Sequence, residues 1–96
     1  MNETLFDWDS ANIGHLAEHN VTLEEAEEVI LGDPLEMGFD KSVLGEDRWS
    51  YVGETAQGRV LQVVITIRGE RIRVVTAFDP TKRDKLSYLE YKAKQK

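Results

Sequence analysis

At Arg48 the spacing of the apolar residues changes from helical to alternating, and that change governs what the chain can become. Three runs then alternate: Arg48-Trp49-Ser50-Tyr51-Val52-Gly53-Glu54, Arg59 to Arg68, and Arg71 to Phe78. Ala56-Gln57-Gly58 and Gly69-Glu70 separate them. Period-two runs joined by such short glycine turns predict an antiparallel β-meander.

Register follows from parity, because a slip of one residue turns every side chain to the opposite face. A two-residue loop at Gly69-Glu70 pairs Arg68 with Arg71, Ile67 with Ile72, Thr66 with Arg73 and Ile65 with Val74. A three-residue loop at Ala56-Gln57-Gly58 pairs Thr55 with Arg59, Gly53 with Leu61, Tyr51 with Val63 and Trp49 with Ile65. Both loops sort the residues alike, whereas a two-residue Gln57-Gly58 loop would mix the classes. One face collects Trp49, Tyr51, Leu61, Val63, Ile65, Ile67, Ile72, Val74 and Phe78, and is expected to receive the helices. The other collects Arg48, Ser50, Glu54, Gln62, Thr66, Arg68, Arg71 and Arg73 around Val60, Val64 and Val75.

Upstream, Leu5-Phe6-Asp7-Trp8 reads as a short strand-like opening. Asp9 then caps a helix from Ser10 to His19 whose apolar stripe is Ile13, Leu16 and Ala17. Thr22 and Glu25 form a capping box for a second helix, with Val21 stapled onto Ala26. Leu23, Ala26 and Ile30 supply its apolar side, and Gly32 with Pro34 ends it. The glutamates at 24, 25, 27 and 28 suit the helix start and read as a solvated face. Asp33 to Asp47 is loop-rich, with a short edge strand near Leu35 to Phe39. Asp79 as N-cap and Pro80 at the first helical position start a last helix that runs through Leu86 and Leu89 into a lysine-rich tail.

A chain of 96 residues allows one domain, 1–96, with a single core. The absence of cysteine excludes a disulfide scaffold, a thiol nucleophile and cysteine-based metal sites, and fits a reducing cytoplasm. No apolar run approaches the length of a membrane span, and Met1-Asn2-Glu3 lacks the basic start of a signal peptide, so a cytoplasmic location without membrane contact is expected. The net charge of -6 conceals an asymmetry. Residues 1–46 carry 12 acids against Lys41 alone, a balance of -11, while residues 47–96 carry 6 acids and 11 bases, a balance of +5. An acidic half and a basic half suggest charged partners on both sides.

Arg48, Thr66 and Arg73 form a row across three strands, with Arg68 and Arg71 near the turn. Four arginines on one face repel one another unless anions stand among them. Guanidinium forks grip phosphate oxygens bidentately, so the face reads as a phosphate-binding surface. It also reads as an ordinary solvent-facing sheet whose acids, such as Glu54, supply partners, since such faces are common. His15 and His19 stand one helical turn apart, but no third ligand has the spacing of a metal site, so neither metal nor cofactor is expected. Trp8 and Trp49 read as core aromatics.

The run Phe6-Asp7-Trp8-Asp9, then Asn12, His15, His19-Asn20-Val21, Glu24-Glu25-Ala26 and Gly32-Asp33-Pro34 resembles the BrnT family of toxins. Gly58-Arg59-Val60-Leu61 with Val63-Val64, Arg71 to Ala77, and Thr81-Lys82-Arg83 with Tyr88 continue the resemblance in order and spacing. It implies a RelE-like α+β fold with two N-terminal helices, an antiparallel meander and a C-terminal helix. It also implies ribonuclease activity of a type II toxin, held in a hetero-oligomer by a DNA-binding antitoxin of the ribbon-helix-helix kind.

Metal-free RNA cleavage uses the substrate's 2′-hydroxyl as nucleophile and requires a base, an acid and cations for the phosphorane charge. The resemblance makes Arg73, Lys82 and Arg83 the residues expected to stabilise that charge, with His19 and Tyr88 as candidates for proton transfer or base stacking. Arg48, Arg68, Arg71 and Thr66 are the expected RNA-binding surface. Glu18, Phe78 and Asp84 depart from the family pattern, which often has a base, an arginine and a glutamate there. These departures motivate a second reading, a binding module that pairs with the antitoxin without cleaving RNA.

Overall fold

The computed structural model describes residues 5–41 and 45–95. Residues 42–44 of the acidic loop, the first four residues and Lys96 of the basic tail lie outside them. Two helices come first, α1 (Ser10–Ala17) and α2 (Leu23–Leu31), followed by strands β1 (Leu35–Asp40), β2 (Arg48–Glu54), β3 (Val60–Arg68) and β4 (Arg71–Phe78), and a closing helix α3 (Lys82–Ala93). The strands form one antiparallel sheet in the order β1-β2-β3-β4, an α+β architecture.

The predicted register holds through β2 and β3, where Trp49 faces Ile65, Tyr51 faces Val63 and Gly53 faces Leu61. Gly58 at φ 86° supplies the left-handed residue of the three-residue loop, which Thr55 N–H closes on Arg59 O at 2.8 Å. At the β3–β4 end Ile67 faces Ile72 and Arg68 faces Arg71, and Gly69 takes the positive φ that the first position of this two-residue turn requires.

β4 departs from the predicted alternation. Ile65 faces Val74, but Val64 faces Thr76, so Val75 is an extra residue and β4 carries a bulge. Ala77, fully buried, therefore takes the core position opposite Val63, and Phe78 turns to the other face opposite Gln62. The expected place of Phe78 in the core is thus corrected. A second bulge at Met37 shifts β1 between its pairings of Glu36 with Tyr51 and Gly38 with Ser50.

The helices also divide between the faces, contrary to the expectation that one face receives them all. The side chains Leu16, Val21, Ala26 and Val29 pack with Phe6, Leu61, Val63, Ile65, Val74 and Ala77 as the main core. Trp8 and Trp49 flank it, as expected of core aromatics. Gly53 lets α2 approach: a Cβ there would stand 3.0 Å from Val29 and 3.1 Å from Pro34. α3 lies on the opposite face, over the fully buried Val52. Tyr88 is buried there and donates to Glu54 at 3.3 Å, while Tyr91 donates to Asp33 at 2.9 Å. Tyrosines suit this seat because their rings pack against each other, with centroids 6.5 Å apart, while their hydroxyls reach carboxylates. Leu86 and Leu89, through which the helix runs as expected, are 56% and 43% exposed. The N-cap of α3 is Thr81, which accepts from Asp84 N–H, rather than Asp79.

α1 is held differently from its apolar stripe as predicted. Ile13 is exposed and Asn12 is buried beside Leu16. The Asn12 amide donates to Asp7 O at 2.9 Å and Val74 O at 3.2 Å, and its Oδ1 accepts from Asp9 N–H at 2.8 Å. Asp9 caps α1 as expected. The helix ends in a Schellman motif, with Asn20 left-handed and Val21 N–H bonded to Leu16 O. The opening segment adds a parallel bridge on β4, where Asp7 N–H donates to Ile72 O and Ile72 N–H to Leu5 O. In α2 the Thr22–Glu25 capping box forms as predicted, but Glu27 is buried and accepts from Trp8 Nε1 at 2.8 Å, so that glutamate is not part of a solvated face.

Asn12 therefore ties the opening segment, α1 and β4 together through three bonds. Replacing it with alanine leaves buried backbone groups without partners and is expected to destabilise the fold by about 2–3 kcal/mol. Urea unfolding of Asn12→Ala against wild type measures this.

Candidate functional site

α3 contacts β1 and β2 and, through Tyr88 on Glu54, takes one end of its face, while farther along the same face Arg48 is exposed and Ser50, Val64 and Thr76 are half-buried among the described residues. Asp40 and Arg48 pair across β1 and β2, and Thr66 and Arg73 pair across β3 and β4, forming one row. The next row is Gly38, Ser50, Val64 and Thr76. A third runs through Val52, Gln62 and Phe78 toward α3. A depression of about 330 Å³ sits on the first two rows, lined by Gly38, Asp40, Arg48, Ser50 and Val64. Glycine at 38 leaves this room, and Gln62 Nε2 fixes the floor by donating to Ser50 Oγ at 2.7 Å.

The arginines of this face do not share one state. Arg73 is tucked between two carboxylates of the opening segment, its side chain 12% exposed. Its Nη2 donates to Asp9 Oδ1 at 3.1 Å, while Nη1 lies 3.0 Å from Asp9 Oδ2 and 3.5 Å from Asp7 Oδ2 without an aligned hydrogen bond. The hydrogen bond to Asp9 pushes the Arg73 pKa further up. Arg68 pairs with Glu46 at 3.3 Å. Arg71 is exposed and also engaged. Arg48 is exposed and has no ion pair among the described residues. Thr66, expected on the binding surface, is 1% exposed, and its hydroxyl donates to Asp47 O at 2.7 Å.

The remaining candidates gather at the other end of β4. His19 is exposed and its ring meets Phe78 edge-on, with centroids 6.0 Å apart. Lys82 and Arg83 occupy the first turn of α3, exposed and without ion pairs among the described residues. Five residues of strand separate Arg73 from Phe78, roughly 15 Å, so Arg73 is not in one cluster with His19, Lys82 and Arg83. Tyr88 lies beneath α3. Burial and then the Glu54 carboxylate push its pKa up, while the ammonium of Lys92 holds Glu54 below the usual carboxylate range.

Arg59 was legible only as a strand residue, yet it joins three elements. It donates to Asn20 O at 2.7 Å and pairs with Glu25 at 3.2 Å and Asp79 at 3.4 Å, so it braces the α1–α2 link and the approach to α3. Its partners lie far away in sequence, and no local pattern announces them. Another depression, about 630 Å³, is lined by residues that include Glu24, Glu27, Glu28 and Glu54, a wall that repels phosphate. Among the described residues no group of three or more His, Asp or Glu is arranged to hold a metal ion. No described helix is long and apolar enough to cross a membrane.

The described residues thus form a small α+β protein whose polar sheet face is edged by cations without ion pairs among them. The family follows from comparison: a model of the ribonuclease toxin BrnT of type II toxin-antitoxin systems matches residues 8–84, and the chain belongs to that family. No curated relative matches it. The family assignment makes the chain a ribonuclease toxin whose counterpart is an antitoxin. The match includes His19, Arg73, Lys82 and Arg83 and ends before Tyr88.

The Arg73–Asp9 contact carries a pH signature. The hydrogen bond from Arg73, then the amides of Asn12 and Ala11, hold Asp9 below its ordinary 3.8. Stabilisation from a depressed carboxyl is present above its unfolded value and is lost as pH falls through the folded one. Asp9→Asn keeps a good N-cap but loses the charge. It is expected to be less stable than wild type at pH 7 and to converge with it in acid once the Asp9 carboxyl is protonated in the folded protein, as read from urea midpoints across pH.

Proposed function

We propose that the open sheet face binds single-stranded RNA and cleaves it without a metal, by attack of the substrate's own 2′-hydroxyl. The observation that carries this is the set of unpaired, exposed cations, Arg48 on the sheet and Lys82 and Arg83 on the first turn of α3, standing on either side of an uncovered surface. Cations without internal partners are free to exchange water and counterions for phosphate oxygens.

Each step then has a group suited to it. Arg48 holds a flanking phosphate beside the Ser50 and Val64 depression. Lys82 and Arg83 stabilise the charge that develops on the phosphorane, aided by the exposed amides at the start of α3. His19 is the proton-transfer group, taking the proton of the 2′-hydroxyl and passing it to the departing 5′-oxygen, since it is exposed at the same end of the sheet. Arg73 contributes by exchanging the Asp9 carboxylate, itself half-exposed, for a phosphate. Tyr88 keeps α3 in place through Glu54 rather than moving a proton. Arg68 and Arg71 add to the positive edge at the turn. The antitoxin is proposed to be a ribbon-helix-helix protein that binds the toxin in a hetero-oligomer.

A second reading is a module that binds the antitoxin without cleaving RNA, favoured by the engagement of Arg73 with Asp7 and Asp9. An assay with purified protein and labelled single-stranded RNA separates the two. Wild type is expected to cleave, equally in EDTA, and to arrest growth when induced in a sensitive bacterium. Arg48→Ala and the Lys82→Ala/Arg83→Ala pair are expected to lower kcat/KM at least about tenfold, since charge-assisted phosphate contacts are among the stronger hydrogen bonds. Their thermal midpoints should stay at wild type, because all three side chains are exposed. Wild-type protein that binds a partner but cleaves no RNA above a blank supports the module instead.

A further inference from the structure

The bulge in β4 has a chemical consequence at Phe78. Without Val75 as an extra residue, Phe78 would continue the alternation of Ile72 and Val74 into the core. With it, Ala77 fills the core and Phe78 stands on the face opposite Gln62, half-buried. Turning a phenylalanine out of a core forgoes a sizeable burial free energy. Bulges commonly re-aim a side chain for a purpose.

The surroundings of the ring define what it would take. His19 meets it edge-on at 6.0 Å and an interplanar angle of 62°, which holds the plane of the ring. Gln62 is its cross-strand neighbour, with its Nε2 engaged by Ser50 Oγ and its carbonyl oxygen without a partner among the described residues. Thr76 stands two residues away on the same face. Lys82 and Arg83 follow within five residues, at the start of α3. An aromatic ring for stacking, an amide acceptor for a base edge and cations for the adjoining phosphate make up the recognition chemistry of an unstacked nucleobase.

We propose that Phe78 is a stacking platform for one base of a single-stranded RNA, positioning the neighbouring phosphate against Lys82 and Arg83. This rests on the open face being the RNA surface. Phe78 is a positioning residue here, and its contribution falls on binding the base.

The test compares Phe78→Leu and Phe78→Tyr with wild type, using a short oligoribonucleotide and the same strand carrying abasic positions. Phe78→Leu is expected to raise KM about tenfold with a smaller change in kcat, while Phe78→Tyr, which keeps a ring to stack, stays within about twofold. On the abasic strand wild type and Phe78→Leu should bind alike, because only phosphate contacts remain. A third variant, Phe78→Trp, gives a direct readout, an indole emission quenched by the intact strand beyond the change in wild type, whose own tryptophans are Trp8 and Trp49. Phe78→Leu equal to wild type on intact RNA, or impaired equally on both strands, overturns the stacking role. So does a Phe78→Trp emission that RNA leaves unchanged, which decides the matter if the leucine variant fails to fold. Wild type that neither binds nor cleaves RNA overturns the RNA reading of the whole face, whereas wild type that cleaves while Phe78→Leu matches it overturns the stacking alone.

Discussion

The pairing of β4 on both of its edges is the constraint on which the rest of the molecule turns. β3 holds one edge through an antiparallel ladder, and the opening segment holds the other through the Phe6–Ile72 bridge. A strand pinned on both sides cannot slip, so the extra residue at Val75 has to be absorbed within it as a bulge. Every later feature follows from that local change of parity. Ala77 completes the core beneath α1, Thr76 and Phe78 join the polar face, and the chain leaves the sheet aimed so that α3 crosses Val52 rather than the core.

The second organising force is electrostatic. The acidic half and the basic half of the chain partly neutralise one another, through Asp7 and Asp9 on Arg73, Glu25 on Arg59 and Glu46 on Arg68, while Glu54 pairs with Lys92 inside the basic half. Exposed pairs of this kind contribute little stability each, but they decide which cations remain available. Arg48, Lys82 and Arg83 remain so. With a net charge of -6, distant attraction to a polyanion is weak, and recognition has to act over the few ångströms where unpaired cations meet phosphate.

Much of the fold was legible because it rests on local rules. The cap at Asp9 and the capping box at Thr22 are decided within four residues, and the hairpin registers by loop length and parity. The family resemblance was legible too, since it depends on ordered short motifs, and the match to residues 8–84 bears it out. The site was legible only in part. The arginine row is where parity put it, but the ion pairs that occupy Arg73 and Arg68 join residues 64 and 22 positions apart, and no periodicity reports such distances. Asn12 was likewise passed over as a core residue, because a buried amide is stable only when its partners, Asp7 O and Val74 O, are brought to it by the completed fold.

By itself, then, the sequence determined the element order, the antiparallel pairing, the sorting of β2 and β3 into an apolar and a polar face, and the family. Those properties follow from steric alternation, turn chemistry and capping, all of which act over a few residues. Only the tertiary structure decided that α3 lies on the polar face, that Phe78 points outward, and which arginines are already paired. Each of those outcomes compares alternatives that are locally equivalent, a tyrosine or a leucine side of α3, a bulged or a regular β4, an arginine facing solvent or a carboxylate. The choice is made by whichever arrangement buries Val52 and Ala77 and leaves the fewest buried polar groups unpaired.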